Sequence, residues 1–334
     1  MALTGLDIYK QLPKTNCKDC GVPTCLAFAM KVASGQSGLD DCPHLGDDAR
    51  SNLDEASAPP QRLVKISGNN GQYEVGQETV LFRHEDKFHR PPALALKIAD
   101  GDADAIAQLK TDFQSLEFSR VGETLGPHMI AVCNESGSAE VFRSTAEQIQ
   151  GELGVPLVLM AESADSLKAA VSGSLSGTRP LLYCTGNVDT AELAELAQQT
   201  NCPLCVAGDL ESVAQHVEEL GSKGVKDVLI SPGHVPPTQA LEFLTQTRRA
   251  ALKHKVRSLG CPVVVHADGD DPMMNAMDAC AYICKYAAIV IGDIWDGYLL
   301  APVLTTRQNI YTDPQKPVQV EPKLHEVGET TSAS

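Results

Sequence analysis

Short, mostly apolar runs alternate with longer amphipathic stretches along most of the chain. Each of the first seven runs is followed by a segment long enough for a helix, such as Ala191–Gln199 or Leu210–Leu220, and residues after Trp295 supply the eighth. Strands that alternate with helices form parallel βαβ units, so eight units in about 220 residues predict an α/β fold, a (β/α)8 TIM barrel. The predicted strands are Ala93–Ala99, Met129–Cys133, Leu157–Met160, Leu181–Cys184, Leu204–Ala207, Val228–Ile230, Val263–Val265 and Ala288–Ile291.

An open, doubly wound sheet is the alternative that the same alternation allows. A dinucleotide-binding sheet of that kind carries a glycine-rich fingerprint directly after its first strand. No such fingerprint follows Ala93–Ala99. The barrel is therefore favoured, and the open sheet stays the alternative.

The segments outside the strand–helix repeat have different patterns. Residues 51–61 are rich in Ala, Ser and Pro, which is typical of a linker. Asn69-Asn70-Gly71 separates the strand-like runs Leu63–Ile66 and Gln72–Val75, which predicts a β-hairpin. We therefore expect a cysteine-bearing domain with its linker over 1–58, a hairpin and connector over 59–90, the barrel over 91–312, and a C-terminal linker over 313–334.

Four of the eleven cysteines lie within the first 42 residues, spaced C-x2-C-x4-C-x16-C with a proline after the last. They are Cys17, Cys20, Cys25 and Cys42. Thiolates bind soft metals, either zinc or the iron of an iron–sulfur cluster. Zinc ribbons usually present two C-x2-C pairs, and only one is here. The spacing favours an iron–sulfur cluster, 4Fe–4S over 2Fe–2S, with structural zinc and unrelated thiols as alternatives. A short helix over Leu26–Val32 would separate the third and fourth ligands.

The charge balance limits the classes of partner. With 27 Lys and Arg against 43 Asp and Glu, the formal net charge is −16, which repels nucleic acid and anionic membrane surfaces. The sequence has no signal peptide and no apolar stretch of about 18 residues. We therefore expect a cytoplasmic protein with no nucleic-acid or membrane partner, in which clustered cysteines bind metal.

For four further features, a structural role is favoured over a functional one. Cys202 and Cys205 form a second C-x-x-C, but Cys205 lies in a predicted strand, so inert buried thiols are favoured over a redox pair. The basic stretch Arg248–Arg257 predicts a solvated helix face rather than a docking patch. His84-Glu85 lacks the second histidine of a zinc-protease helix. The remaining cysteines in apolar runs, Cys133, Cys184, Cys261, Cys280 and Cys284, are predicted to lie in the core.

Polar residues follow the carboxyl ends of the predicted strands, where a TIM barrel builds its sites. None of them has a diagnostic spacing, so helix caps and solvated loops are favoured over a substrate-binding rim. The residues are Asn134, Glu135, Glu162, Asn187, Asp209, Ser231, His234, His266, Asp268 and Asp293.

Several stretches together resemble one known family, the large (gamma) subunit of the corrinoid iron–sulfur protein, from near Leu3 to near Gly328. They are "LTGLDIYKQLPKTNCKDCGVPTCLAFAMKVASG", "DCPHL", "PLLYCTGN", "CPLCV", "QTRRAALKHKVRSLGCPVV" and "LTTRQNIYTDP". The resemblance implies an N-terminal 4Fe–4S domain, a (β/α)8 barrel and a C-terminal corrinoid-binding domain. That last domain is expected to be absent here, because the chain stops at Ser334.

The resemblance also implies a function. The family's corrinoid accepts a methyl group from methyltetrahydrofolate through a separate methyltransferase and delivers it to acetyl-CoA synthase/CO dehydrogenase in the Wood–Ljungdahl pathway. The cluster, on Cys17, Cys20, Cys25 and Cys42, returns Co(II) to Co(I), and the partner in a heterodimer is the small (delta) subunit. A self-sufficient enzyme is not implied. The alternatives are an electron-transfer module without corrinoid and a stand-alone folate-dependent methyltransferase barrel.

Overall fold

The computed structural model describes residues 5–34, 36–46, 49, 53 and 59–313, without the side chains of Ala103 and Ser174. The chain divides into two compact units, the first ending at Pro59 and the second beginning at Pro60. Most of the predicted linker over 51–61, and all of the predicted C-terminal linker except residue 313, lie outside the described residues. No helix in the described part is long and apolar enough to span a membrane.

The first unit contains α1 (Gly5–Gln11), α2 (Cys25–Ala33) and a 3-10 turn (Leu39–Asp41). Helix α2 begins at Cys25 because the Thr24 hydroxyl accepts a hydrogen bond from the backbone N–H of Ala27 at 3.1 Å. Its extent agrees with the predicted short helix to within one residue at each end. The described core of this unit consists of Ile8, Leu12, Val22, Cys25, Phe28, Ala29, Cys42, Leu45 and Leu53.

The second unit opens with the predicted hairpin, in which β1 (Leu63–Ser67) pairs antiparallel with β2 (Gln72–Gly76). Val64, Ile66 and Val75 of this hairpin share a core with the inward-facing residues of the barrel strands. Ser67 also exchanges backbone hydrogen bonds of 3.0 Å with Arg179, which precedes a barrel strand. The hairpin therefore covers the N-terminal end of the barrel.

Eight parallel strands follow and confirm the TIM barrel. They are β3 (Ala93–Ala99), β6 (Met129–Cys133), β7 (Leu157–Ala161), β8 (Leu181–Cys184), β9 (Leu204–Ala207), β10 (Val228–Ser231), β11 (Val264–Ala267) and β12 (Ile289–Gly292). Their order around the sheet is their order in the chain. The ring closes between β10 and β11 through one bridge, Ile230 to Val263, next to the hydrogen bond from Ile230 N–H to the Pro262 carbonyl at 3.0 Å.

Helices surround the sheet, one after each barrel strand. They are α3 (Ala103–Ser115), α4 (Ala139–Glu152), α5 (Ala164–Val171), α6 (Thr190–Thr200), α7 (Leu210–Ser222), α8 (Pro237–Lys253), α9 (Pro272–Cys284) and α10 (Gly297–Tyr311). Because side chains alternate along a strand, each strand contributes to two cores. On β3, Ala93 and Ala95 face the barrel interior, and Leu94 and Leu96 pack on the helices.

Three details differ from the sequence expectations. A small hairpin of β4 (Phe118–Arg120) and β5 (Glu123–Leu125) lies between α3 and β6. Cys280 is half-buried and Cys284 is exposed, contrary to the core prediction, because both lie off the face of α9 that buries Ala279 and Ile283. The basic stretch is not wholly solvated, because Arg248 is buried beside Glu78.

Candidate functional site

The four predicted ligands of the first unit differ in exposure. Cys25 and Cys42 are buried members of its core, Cys20 is half-buried and Cys17 is exposed, and all four are free of disulfide bonds. Cys25 is the first residue of α2, and the N-terminal end of a helix favours nearby negative charge such as a thiolate. Two ligands therefore belong to the folded core, and two lie on the loop before it.

Local contacts hold the ligand loop against the helix and the segment after Cys42. The Asn16 side-chain oxygen accepts the backbone N–H of Cys25 at 2.8 Å. His44 Nε2 lies 2.6 Å from Asp19 Oδ2, which places the Cys17–Cys20 loop beside the Cys42 segment. The hydrogen bond with His44, and then that with Cys17, holds the pKa of Asp19 below its usual value.

The backbone between the ligands turns sharply. Asn16 (φ 50°), Lys18 (φ 71°) and Gly21 (φ 72°) are left-handed, a conformation that asparagine tolerates and glycine adopts without strain. In turns of this kind, successive backbone N–H groups often line a concave surface that binds anions, including iron–sulfur clusters. The donor set, four unlinked thiols on a tightly turned loop and a helix start, fits a thiolate-ligated cluster.

A second group of polar side chains lies at the C-terminal mouth of the barrel. Ala93 and Ala95 face inward on β3, so Lys97 does as well, and the same alternation turns Tyr183, Ser231 and His266 inward. Tyr183 Oη donates to Ser231 Oγ at 2.9 Å and lies 3.2 Å from His266 Nε2. Three barrel strands are thereby linked through their side chains.

Asp268, two residues after His266, is the charged centre of this group. Its carboxylate lies 3.2 Å from Lys97 Nζ and 3.4 Å from His234 Nδ1. Burial disfavours the charged form, but the neighbouring His234 and His266 outweigh it, so the pKa of Asp268 lies well below its usual range. Burial lowers the pKa of His266 and raises that of Tyr183. At neutral pH the group therefore holds the Asp268 carboxylate beside the neutral imidazole of His266.

The structure brings together only part of the predicted rim. Ser231, His234, His266 and Asp268 form one group, and Glu135 joins it through Lys97, whose Nζ lies 3.9 Å from the Glu135 carboxylate. Asp209 instead caps α7 by accepting the N–H of Ser212. Glu162 and Asn187 are exposed.

Sequence reasoning missed Lys97 and Tyr183, which lie inside apolar runs. Counting two residues on from inward-facing positions in each strand would have found both. Cys205 is fully buried and Cys202 nearly so, and burial raises the pKa of both thiols. The C-x-x-C is therefore an inert pair, as predicted.

Comparison with known proteins gives two family matches. Residues 64–334 match the family described as CO dehydrogenase/acetyl-CoA synthase delta subunit. Residues 12–44, which contain all four predicted ligands, match the family described as "Putative Fe-S cluster". The two matches correspond to the barrel-bearing part of the chain and to the cysteine-bearing part.

Solved structures support the fold alone. Dihydropteroate synthase from Xanthomonas albilineans has a TM-score of 0.52 at 11% identity, covering 76% of this chain and 100% of that one. Dihydropteroate synthase from Vibrio fischeri ES114 also has a TM-score of 0.52 at 11% identity, covering 74% and 97%.

Curated relatives are more similar in sequence. The chain is 39% identical to the corrinoid/iron–sulfur protein large subunit of Moorella thermoacetica, over 98% of this chain and 74% of that protein. It is 33% identical to the acetyl-CoA decarbonylase/synthase complex subunit gamma of Methanothermobacter thermautotrophicus, over 100% and 76%. The chain therefore belongs to the family of corrinoid/iron–sulfur protein large subunits and acetyl-CoA decarbonylase/synthase gamma subunits.

Proposed function

We propose that this chain is the cluster-bearing large subunit of a corrinoid-dependent methyl carrier in the acetyl-CoA pathway. We propose Cys17, Cys20, Cys25 and Cys42 as the ligands of a 4Fe–4S cluster. The observation that carries the proposal is the position of these four free thiols inside the Fe–S match over 12–44, in a chain that aligns with a corrinoid/iron–sulfur large subunit over 98% of its length.

A 4Fe–4S cluster supplies a one-electron carrier, whose potential in proteins can be low enough to return corrinoid Co(II) to Co(I). The chain's own residues set the surroundings. The α2 N-terminus at Cys25 stabilises negative charge on the buried side, and the Asp19–His44 pair lies on the exposed side. We propose that the cluster exchanges electrons at the exposed side, where Cys17 is accessible.

Membership of the family supports a proposal for the partners. We propose a heterodimer with the small (delta) subunit, in the cytoplasm, that receives methyl groups from a methyltetrahydrofolate methyltransferase and passes them to acetyl-CoA synthase/CO dehydrogenase. The gamma-subunit relative is named as part of an acetyl-CoA decarbonylase/synthase complex, which supports these partners. We assign none of the described residues to corrinoid binding, so the methyl-carrying step is proposed for the complex.

A metal count on the anaerobically purified full chain tests the cluster. We expect about four iron atoms per chain, broad absorbance at about 400 nm, and a paramagnetic signal after dithionite reduction. One zinc and no iron would reject the proposal, and about two irons would change the cluster type. Replacing Cys17, Cys20, Cys25 or Cys42 by Ser should remove most of the iron, whereas Cys284→Ser, at an exposed thiol of the other unit, should not.

Co-purification with the small subunit tests the methyl carrier. We expect a stable complex that contains cobalt, and faster recovery of Co(I) with the wild-type chain than with Cys17→Ser. A cluster that is reversibly reduced in a chain that never associates with a corrinoid protein would favour the plain electron-transfer module. Saturable binding of methyltetrahydrofolate by the isolated chain would favour a methyltransferase barrel.

A further inference from the structure

The mouth of the barrel holds a second set of metal-ligating side chains, separate from the four cysteines. His234, His266 and Asp268 each offer a ligand atom, and the three atoms lie within 4.8 Å of one another. His266 belongs to β11, Asp268 follows that strand, and His234 follows β10. They come from two neighbouring strand ends, the part of a barrel where binding sites are built.

The two ring nitrogens of His266 have different surroundings. His266 Nε2 lies 3.2 Å from Tyr183 Oη, which donates to Ser231 Oγ at 2.9 Å. His266 Nδ1 is the ring nitrogen that is left to bind a ligand. Among the described residues this atom has no hydrogen-bond partner, although the His266 side chain is only 3% exposed.

A carboxylate oxygen faces this nitrogen. Asp268 Oδ2 lies 3.8 Å from His266 Nδ1, and the Asp268 side chain is 5% exposed. Its charge is balanced by Lys97 at 3.2 Å, but the described residues give Oδ2 no well-aligned hydrogen bond. A cation that ligates both His266 Nδ1 and Asp268 Oδ2 would give these two buried atoms the partner that the described residues do not supply.

The distances between the donors suit a small metal ion. Ligand bonds of about 2.0–2.2 Å in a tetrahedral site place the donor atoms about 3.3–3.6 Å from one another. His234 Nδ1 lies 3.4 Å from Asp268 Oδ1, and His266 Nδ1 lies 3.8 Å from Asp268 Oδ2. These distances end on the two different oxygens of Asp268, so the carboxylate would bind through both oxygens or turn slightly, and the 59% exposed His234 side chain has the freedom to follow it.

The charges also favour a cation over an anion. The carboxylates of Asp268 and Glu135 outnumber the ammonium group of Lys97 that lies between them. The adjoining cavity, of about 510 Å³, is lined further by Asp270, Asp271 and Asp278. An anionic ligand would therefore meet net negative charge at this end of the barrel.

We propose that His234, His266 and Asp268 bind one divalent transition-metal ion, with Zn²⁺ as the best-matched ion, and that its fourth position opens to this cavity. Two imidazoles and one carboxylate form the donor set of zinc sites that keep an exchangeable position. The site is independent of the cluster, so either proposal can fail while the other stands.

Titration of the cluster-loaded full chain with ZnCl2, by calorimetry, tests the site. We expect one zinc per chain to bind with no loss of iron. Zinc-edge X-ray absorption should show only nitrogen and oxygen neighbours, at about 2.0–2.1 Å. Sulfur neighbours at about 2.3 Å would show that the zinc is bound by cysteines and would overturn the proposal. The absence of binding at micromolar zinc would also overturn it.

Substitutions test which side chains bind the zinc. His234→Ala changes a largely exposed side chain and should weaken zinc binding at least tenfold without unfolding the barrel, and Asp268→Asn should weaken it more. His254→Ala, at an exposed histidine after α8, is the matched control and should bind like the wild type.

Lys97→Met distinguishes a metal from an anion. Removing the ammonium 3.2 Å from Asp268 should tighten zinc binding severalfold, because a competing cation is lost. Weaker binding in Lys97→Met, or unchanged binding in His234→Ala, would overturn the assignment.

Discussion

The described core of the first unit has nine buried residues, and two of them, Cys25 and Cys42, are proposed cluster ligands. The second unit has two large apolar cores, one inside the ring of strands and one between strands and helices. Small cores rarely stabilise a fold unaided, and metal binding then contributes directly to folding. We therefore expect the first unit to depend on its metal and the barrel to fold without one.

The largest expected effect is the loss of the cluster from the first unit. Cys25→Ser or Cys42→Ser should remove nearly all iron and expose the first unit to proteolysis, because each change removes both a ligand and a core residue. Limited proteolysis with mass spectrometry should show cleavage before Pro59 and an intact fragment beyond it. A variant whose first unit stays resistant without iron would contradict the dependence. Cys284→Ser is the matched control.

The barrel should respond most strongly where a buried charge loses its partner. Arg248, 4% exposed, pairs with Glu78, 6% exposed, at 3.2 Å, and its guanidinium lies 5.0 Å from the ring centre of Tyr286. Arg248→Met leaves the buried Glu78 carboxylate without its cation, so the free energy of unfolding should fall by about 3–5 kcal/mol. Urea denaturation followed by circular dichroism measures it.

Two comparisons make the Arg248 result interpretable. Arg249→Met, at the exposed neighbour on the same helix, should change the free energy of unfolding little. Iron content should be unchanged in both variants, because the change lies in the second unit. A loss of iron in Arg248→Met would show that the two units are not independent.

A smaller effect should appear on acidification of the barrel. His128 Nδ1 accepts the backbone N–H of Leu94 at 3.2 Å, and burial, with Arg307 nearby, holds the pKa of His128 well below its usual value. Below about pH 6.5, His128 binds a proton in the unfolded chain and not in the folded barrel, so its contribution to the free energy of unfolding is complete above that pH. Below that pH, the free energy of unfolding should fall by up to about 1.4 kcal/mol per pH unit as the pH drops towards the folded-state pKa of His128.

Replacement of His128 isolates its share of the pH dependence. His128→Asn keeps a side-chain acceptor for Leu94 but cannot titrate. Denaturation midpoints between pH 7.5 and 5.5 should fall less steeply in this variant than in the wild type. Equal slopes would show that His128 already carries a proton in the folded barrel.

The smallest expected effect compares one helix cap in each unit. Thr24 caps α2 by accepting from Ala27 N–H at 3.1 Å, and Ser163 caps α5 by accepting from Ser166 N–H at 3.2 Å. Each Ala substitution should cost about 0.5–2 kcal/mol. In the barrel, Ser163→Ala should only lower the denaturation midpoint. Thr24→Ala should also speed the loss of iron to a chelator, and equal rates of iron loss would contradict the proposed coupling.

The barrel was predictable because buried parallel strands are nearly continuous apolar runs. Ala93–Ala99, Met129–Cys133 and Leu181–Cys184 match the structure at both ends. The prediction for β11 stopped at Val265 because His266 is polar. The backbone pairing continues to Ala267, since an inward polar side chain is tolerated where the barrel opens.

Other features leave too weak a trace in the sequence. The β4–β5 hairpin turns through Val121 and Gly122, at φ values of 53° and 79°, whereas the usual hairpin signal is Asn-Gly or Asp-Gly. A β-branched residue rarely adopts such a φ, so no turn was expected there. Arg248 is buried because Glu78, 170 residues earlier in the chain, lies beside it, and no local pattern records that pairing.

The four-cysteine site could be predicted from the sequence, whereas the group at the barrel mouth could not. Cys17, Cys20, Cys25 and Cys42 lie within one short stretch, and thiols at such spacing have few other uses. His234 and His266 are separated by helix α8 and the loop that follows it, so only the closed barrel brings them together. Spacing along the chain could therefore predict the first site and not the second.

The closure of the ring between β10 and β11 gives the barrel a weak side. Along that junction one bridge, at Ile230 and Val263, replaces the ladders that join the other neighbouring strands. His234 extends from one side of the junction, and His266 and Asp268 from the other. A ligand bound by all three would join β10 to β11 at the junction where the ring opens most easily. Amide protons near Ile230 should then exchange with solvent more slowly when the ligand is bound.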